Sequence, residues 1–148
     1  MSEFKSTFDY KLIYIFRIND EQHKGLLKIG DATVHTDKSV AELFPNCKEL
    51  NKAAKDRINE YTKTASIEYE LLYTELAIKN ISNSGMPKAF RDKAVHNVLL
   101  RSGVKRHEFK IENAGKEWFK TDLETVKKAI VAVKEGCSSL NPDDITED

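Results

Sequence analysis

The stretch that most constrains this chain is Tyr10 to Ile18, "YKLIYIFRI". Tyr10, Leu12, Tyr14, Phe16 and Ile18 alternate with Lys11, Ile13, Ile15 and Arg17. Side chains of a strand point alternately to its two faces. One face here is wholly apolar and the other is mixed, with two isoleucines at its middle. That pattern predicts a central strand covered on both sides. "NDEQHKG" then breaks the alternation with polar residues and a glycine, and "LLKIG" resumes it. So short a connection makes the two strands antiparallel neighbours. In this reading Gly30 ends the second strand and Lys28 is a solvated edge lysine.

Further along, "SVAELF" predicts a short helix capped by Ser39 and stopped near Pro45. Leu50, Ala53, Ala54, Ile58 and Tyr61 give helical spacing over three turns. "SIEYELLY" returns to period two through Ile67, Tyr69, Leu71 and Tyr73 and predicts a third strand running towards Ile78. Pro87 is placed as the first-turn proline of a helix through Phe90, Ala94, Val95, Val98 and Leu99, ending before Gly103. Thr121 to Glu124 form a capping box that opens a last helix, with Leu123, Val126, Ile130 and Val133 inward and Gly136 as its stop. The order β-β-α-β-α-α predicts an α+β fold, a small three-stranded antiparallel sheet flanked by helices.

With 148 residues the chain is expected to form one domain over residues 1–136, followed by an acidic tail or linker over 137–148 that leads into a further domain. Basic and acidic residues balance at 24 each, which argues against a uniformly basic nucleic-acid binder. Their distribution is uneven. Met86 to Lys110 carries seven Lys or Arg against two Asp or Glu, while Glu135 to Asp148 carries five acids and no base. No apolar run approaches the ~20 residues of a membrane span, and the N-terminus has no secretory apolar segment. No membrane association is expected, and the expected compartment is the cytoplasm. Cys47 and Cys137 lack metal or redox spacing and read as reduced thiols.

Several side chains are candidates for chemistry. Arg57 borders the apolar face of its helix. It either pairs with Asp56 or Glu60 or offers a planar, permanently charged fork to a phosphate. Asp92 and His96 are four apart on one side of a helix. They form either a surface pair or a carboxylate for a hard cation beside an imidazole. Tyr14 is core by its neighbours, but a phenol at a strand surface can also align or deprotonate a nucleophile. In "EWF", Trp118 and Phe119 read as core, with Glu117 facing water. There is no Gly-rich phosphate loop, no GxSxG and no Cys/His nucleophile pair, which disfavours nucleotide-dependent chemistry and acyl transfer.

Taken in order, these residues carry a resemblance. "LIY" at 12–14, "KIG" at 28–30, an arginine on the next helix, an acid four residues before a histidine, and "EWF" at 117–119 resemble the GIY-YIG nuclease superfamily. The likeness is to its phage-type branch, whose second half-motif reads KIG, and it spans roughly residues 10 to 120. Leu12 stands where that family has glycine, and Asp92 where it has glutamate. The resemblance implies an endonuclease domain that hydrolyses DNA phosphodiesters with one Mg2+ or Mn2+. By position, Tyr14 would be base or aligner and Lys28 would take the second tyrosine's place. Arg57 would clamp the scissile phosphate, and Asp92 would hold the metal with His96 close by. Glu117 is the other candidate metal ligand. The basic stretch 86–110 would hold the DNA backbone. The implied setting is a longer chain with a helicase or restriction subunit. The alternatives are a catalytically impaired nucleic-acid-binding domain of the same fold and a protein-interaction module. On the nuclease reading, Tyr14, Lys28, Arg57 and Asp92 should open onto one concave surface.

Overall fold

The computed structural model describes residues 8–62, 67–79, 88–108 and 118–140. Pro87, Glu117 and residues 141–148, all named above, lie outside these, as does the side chain of Tyr61. In chain order the elements are β1 (Phe8–Arg17), β2 (Leu26–Thr36), a single 3-10 turn (Val40–Glu42), α1 (Lys48–Thr62), β3 (Glu70–Leu76), β4 (Ile78–Lys79), β5 (Lys88–Ala89), α2 (Asp92–Arg101), β6 (Trp118–Lys120) and α3 (Leu123–Lys134). The main sheet is antiparallel, in the order β3-β1-β2-β6, and β4 and β5 form a separate two-residue ladder.

The α+β architecture predicted from hydrophobic periodicity is therefore present, with β1 central. The sheet gains a short fourth strand, β6, from "WFK". Three residues are too few to display a period, so that strand is visible only through its pairing with Leu26–Lys28. The second strand does not end at Gly30. It runs to Thr36, because Ala32 and Val34 keep alternating into the core beyond the glycine. The third strand departs from simple alternation. Ile15 pairs with Tyr73 but Phe16 with Leu71, so a bulge at Leu72 sends Tyr73 and Leu71 to opposite faces.

Each face of the sheet supports its own core. On one face Leu12, Tyr14 and Phe16 pack with Leu26 and Trp118 under Leu50, Ala54 and Ile58 of α1. On the other, Ile13, Ile15, Leu27 and Ile29 pack with Phe119 under Val95 and Leu99 of α2 and Val126 and Ile130 of α3. Burying each such large apolar side chain contributes about 1.5–3 kcal/mol.

The helix boundaries correct two expectations. Residues Lys88–Ala89 are in a strand ladder and the helix starts only at Asp92, so Pro87 is not its first-turn proline. The last helix starts at Leu123 with Asp122, not Thr121, as its cap, and Asp122 Oδ1 accepts the Thr125 N–H at 2.8 Å. The C-terminal stops are where glycine was read. Gly103 and Gly136 adopt φ of 91° and 79°, and each lets the next N–H reach back: Val104 to Leu99 O at 3.0 Å and Cys137 to Ala132 O at 2.8 Å. Past Gly136 the chain stays packed, with Cys137 and Leu140 against the core and the Leu140 N–H donating to Ser102 Oγ at 2.8 Å. No described helix is long and apolar enough to cross a membrane.

Candidate functional site

The site is built on the edge of β2. Strand β6 covers only Leu26–Lys28, and beyond it β2 has no strand neighbour on that side among the described residues. Helix α1 packs on one face of the sheet, and α2 begins on the other. A cavity of about 690 Å³ wraps this open edge. Asp31 to His35 line its floor, Lys52, Asp56, Arg57 and Glu60 of α1 line one wall, and Lys11 and Arg91 complete it.

Arg57 stands where α1 overlooks the edge, because Ala54 and Ile58 beside it are pinned to the sheet. Its guanidinium is half-exposed, and Nη1 lies 3.5 Å from Glu60 Oε1, a long contact for an ion pair. Glu60, one of the two partners expected for it, is thus present at long range.

Across the cavity, Arg91 donates from Nε to Asp31 Oδ2 at 2.9 Å and from Nη2 to Asp31 Oδ1 at 3.2 Å. The same carboxylate accepts the Asp92 N–H at 2.9 Å. Asp31 therefore caps α2 from a strand 61 residues earlier in the chain, a task the Arg91 side chain at the cap position does not perform. Burial pushes the Asp31 carboxyl up. The Arg91 hydrogen bond, the Asp92 N–H and the Arg91 charge outweigh it and hold the group below its ordinary 3.8.

The predicted site residues converge only in part. Arg57 lines the cavity. Asp92, half-buried at the first turn of α2, does not line it, although its neighbour Arg91 and its acceptor Asp31 do. Tyr14 is on the α1 face, 2% exposed, with its ring directly over Gly30. Lys28 is on that face too, with its ammonium 5.9 Å from the Phe16 ring centre. Lys28, Gly30 and Ala32 are alternate residues of one face, so Lys28 is two pleats from the cavity-lining Ala32. His96 faces the opposite core. It is buried against Phe119 at 5.0 Å between ring centres, and its Nε2–H donates to the Ile29 carbonyl at 2.8 Å.

Sequence reading missed Asp31 and Arg91. A signal existed for the first. Once β2 is extended past Gly30, Leu27, Ile29 and Asp31 fall on one face, and a carboxylate on a core face demands a cation. Nothing local points to Arg91 as that cation.

Residues 11–134 match the T5orf172 domain. The chain belongs to that family. T5orf172 is a phage-associated, nuclease-like domain family, and the matched span runs from β1 to the end of α3, enclosing every element around the cavity. Neither the curated proteins nor the solved structures give a significant match.

A nuclease-like T5orf172 domain raises the question of a metal. Among the described residues no three of His, Cys, Asp and Glu converge on one point. They do not build a closed nitrogen- and sulfur-rich cage of the zinc type. Mg2+ asks for less, one or two carboxylates besides its waters and substrate phosphate oxygens. Asp92, beside Asp31 at the cavity's edge, is a donor of that kind. Both oxygens of Asp31 are already committed to Arg91 and the helix N–H.

Proposed function

We propose that this T5orf172 domain is a metal-dependent endonuclease of GIY-YIG type that hydrolyses DNA phosphodiester bonds within a larger DNA-processing or restriction protein. The observation that carries this reading is the cavity on the β2 edge, lined by Arg57 from α1 and by Arg91, the residue before Asp92, at the start of α2, in a nuclease-like family. Hydrolysis of a phosphodiester builds negative charge on non-bridging oxygens. Arg57, half-exposed on α1, meets a phosphate oxygen without unpacking its helix. Asp92 is the assigned metal ligand, with Glu117 as the other candidate, and Mg2+ or Mn2+ when bound supplies neutralising charge at the phosphate. Lys28 takes the alignment of the attacking water, and Tyr14, buried over Gly30, acts by shaping the strand that carries Lys28. His96, through the Ile29 carbonyl, fixes the helix that carries Asp92. The exposed cations around α2, Lys88, Lys93, Arg101 and Lys105, hold the DNA backbone without reading its sequence.

The test is nicking of supercoiled plasmid with Mg2+ or Mn2+. Wild type is expected to nick. Arg57→Ala is expected to lose about 10²–10³-fold in rate, the range for removing one preorganised donor, and Asp92→Ala to lose cleavage altogether. If both variants cut as fast as wild type, the residue assignment is wrong. DNA binding at low salt without cleavage would instead identify an impaired domain that only binds. Tyr14 is 2% exposed and neither Lys28 nor Asp92 lines the cavity, and this is the observation that favours the second reading.

A further inference from the structure

We infer that Arg91 is a second phosphate-contacting guanidinium of this site, aimed across the cavity from Arg57 by Asp31. The inference rests on the proposed action on DNA and adds to it a residue and a device. The Asp31 side chain is 7% exposed while that of Arg91 is 67% exposed. The anchor is therefore buried and the working end is open. Asp31 engages Nε and Nη2, one edge of the guanidinium plane. A guanidinium carries five N–H donors, so the Nη1 pair and the outer Nη2 hydrogen remain on the edges turned from Asp31. An arginine held by one edge has little rotamer freedom left to lose when its other edge meets a phosphate. Arg57 lines the same cavity from α1, and Lys11, held by Thr33 Oγ1 at 3.0 Å, adds a further cation to its lining. Two guanidinium forks from opposite sides of one sheet edge suit an anion held between them, and the phosphodiester of a DNA strand is the anion this domain would meet. Asp31 touches no substrate and is a positioning residue. Its carboxylate fixes both the Arg91 fork and the first turn of α2.

Two readouts test this: the salt dependence of DNA affinity without divalent metal, and plasmid nicking with Mg2+ or Mn2+. Arg91→Ala should reduce the slope of log affinity against log salt by about one and the nicking rate by about 100-fold. Arg91→Lys keeps the charge but not the fork. It should restore the slope and leave the rate low, and it also stands in if the alanine variant fails to fold. Asp31→Asn removes a negative charge, so affinity at low salt should hold or rise while nicking falls. A purely structural Asp31 would lower the melting temperature and leave nicking unchanged below it. Wild-type slope and rate in Arg91→Ala would overturn the inference and leave the nuclease reading standing. If wild type binds DNA but does not cut, the nuclease reading fails and the slopes still decide Arg91. If wild type binds no DNA at low salt, both fall.

Discussion

Gly30 carries a packing constraint that no turn requires. It sits mid-strand opposite Tyr14, and a Cβ placed on it would stand 2.4 Å from the Tyr14 ring and hydroxyl. Its backbone is not in the left-handed region, so the need is for space and not for φ. Tyr14 is 2% exposed and stacked beside Phe16 at 6.0 Å, so the ring cannot swing aside cheaply. Gly30→Ala should therefore destabilise by about 1–3 kcal/mol, the usual cost of overpacking, read as a lower urea midpoint. Tyr14→Ala removes the obstacle. In the double variant the glycine substitution should cost little, giving a coupling energy typical of touching residues. Equal costs of Gly30→Ala with and without Tyr14 would show that the ring is not what the glycine serves. The sequence displayed "KIG" plainly, but it could not display that the residue paired with its glycine is an aromatic. The glycine read as a strand exit for that reason.

The same limit appears at the level of elements. Local signals were legible wherever the partner is local. Gly103 and Gly136 were read as helix stops, and both close their helices with the backward hydrogen bonds expected of them. The cap of α3 was misplaced by one residue because Thr121 and Asp122 are both competent acceptors and spacing alone does not choose. Asp122 does the capping, with Oδ1 also accepting from the Thr125 hydroxyl at 2.9 Å. Asp122→Ala should thus lower the melting temperature, whereas Thr121→Ala should leave it nearly unchanged. The reverse order would restore the capping box read from sequence. The start of α2 was beyond local reading altogether. Its cap comes from β2, across the sheet edge, and no window around Pro87 or Arg91 contains it. The β3 bulge is similar: it exists only in the pairing of Leu71 and Tyr73 with β1.

For the whole molecule, the sheet separates two cores, and the open edge of β2 is where the layers communicate. Arg57 belongs to the layer above and Asp92 to the layer below. From sequence they were expected on one concave surface, and the strand residue between them is Asp31, which lines the cavity with Arg57 and accepts the Asp92 N–H. Polar ties from β2 to α2 include the Ile29 carbonyl to His96 and the Asp31 carboxylate to Arg91 and the Asp92 N–H. The second tie depends on ionisation. Asp31 titrates below its ordinary 3.8 in the folded state, so the unfolded chain takes up its proton first as pH falls. Its contribution to stability is therefore complete well above 3.8, shrinks as pH drops through that value, and is gone below the depressed folded value. Other carboxylates held low, Glu49 by Lys38 and Glu70 by Asn19 and Arg17, weaken over the same range. Wild type alone therefore does not isolate the tie. The difference between wild type and Asp31→Asn does, because the amide cannot ionise. Urea midpoints measured from about pH 6 down to about pH 2 should show wild type the more stable at the upper end and the two curves converging as Asp31 protonates. Parallel curves would mean that the Asp31 charge does not hold α2 to the sheet. Converging curves would mean that the Asp31 charge ties the start of α2 to β2 and that acid removes the tie.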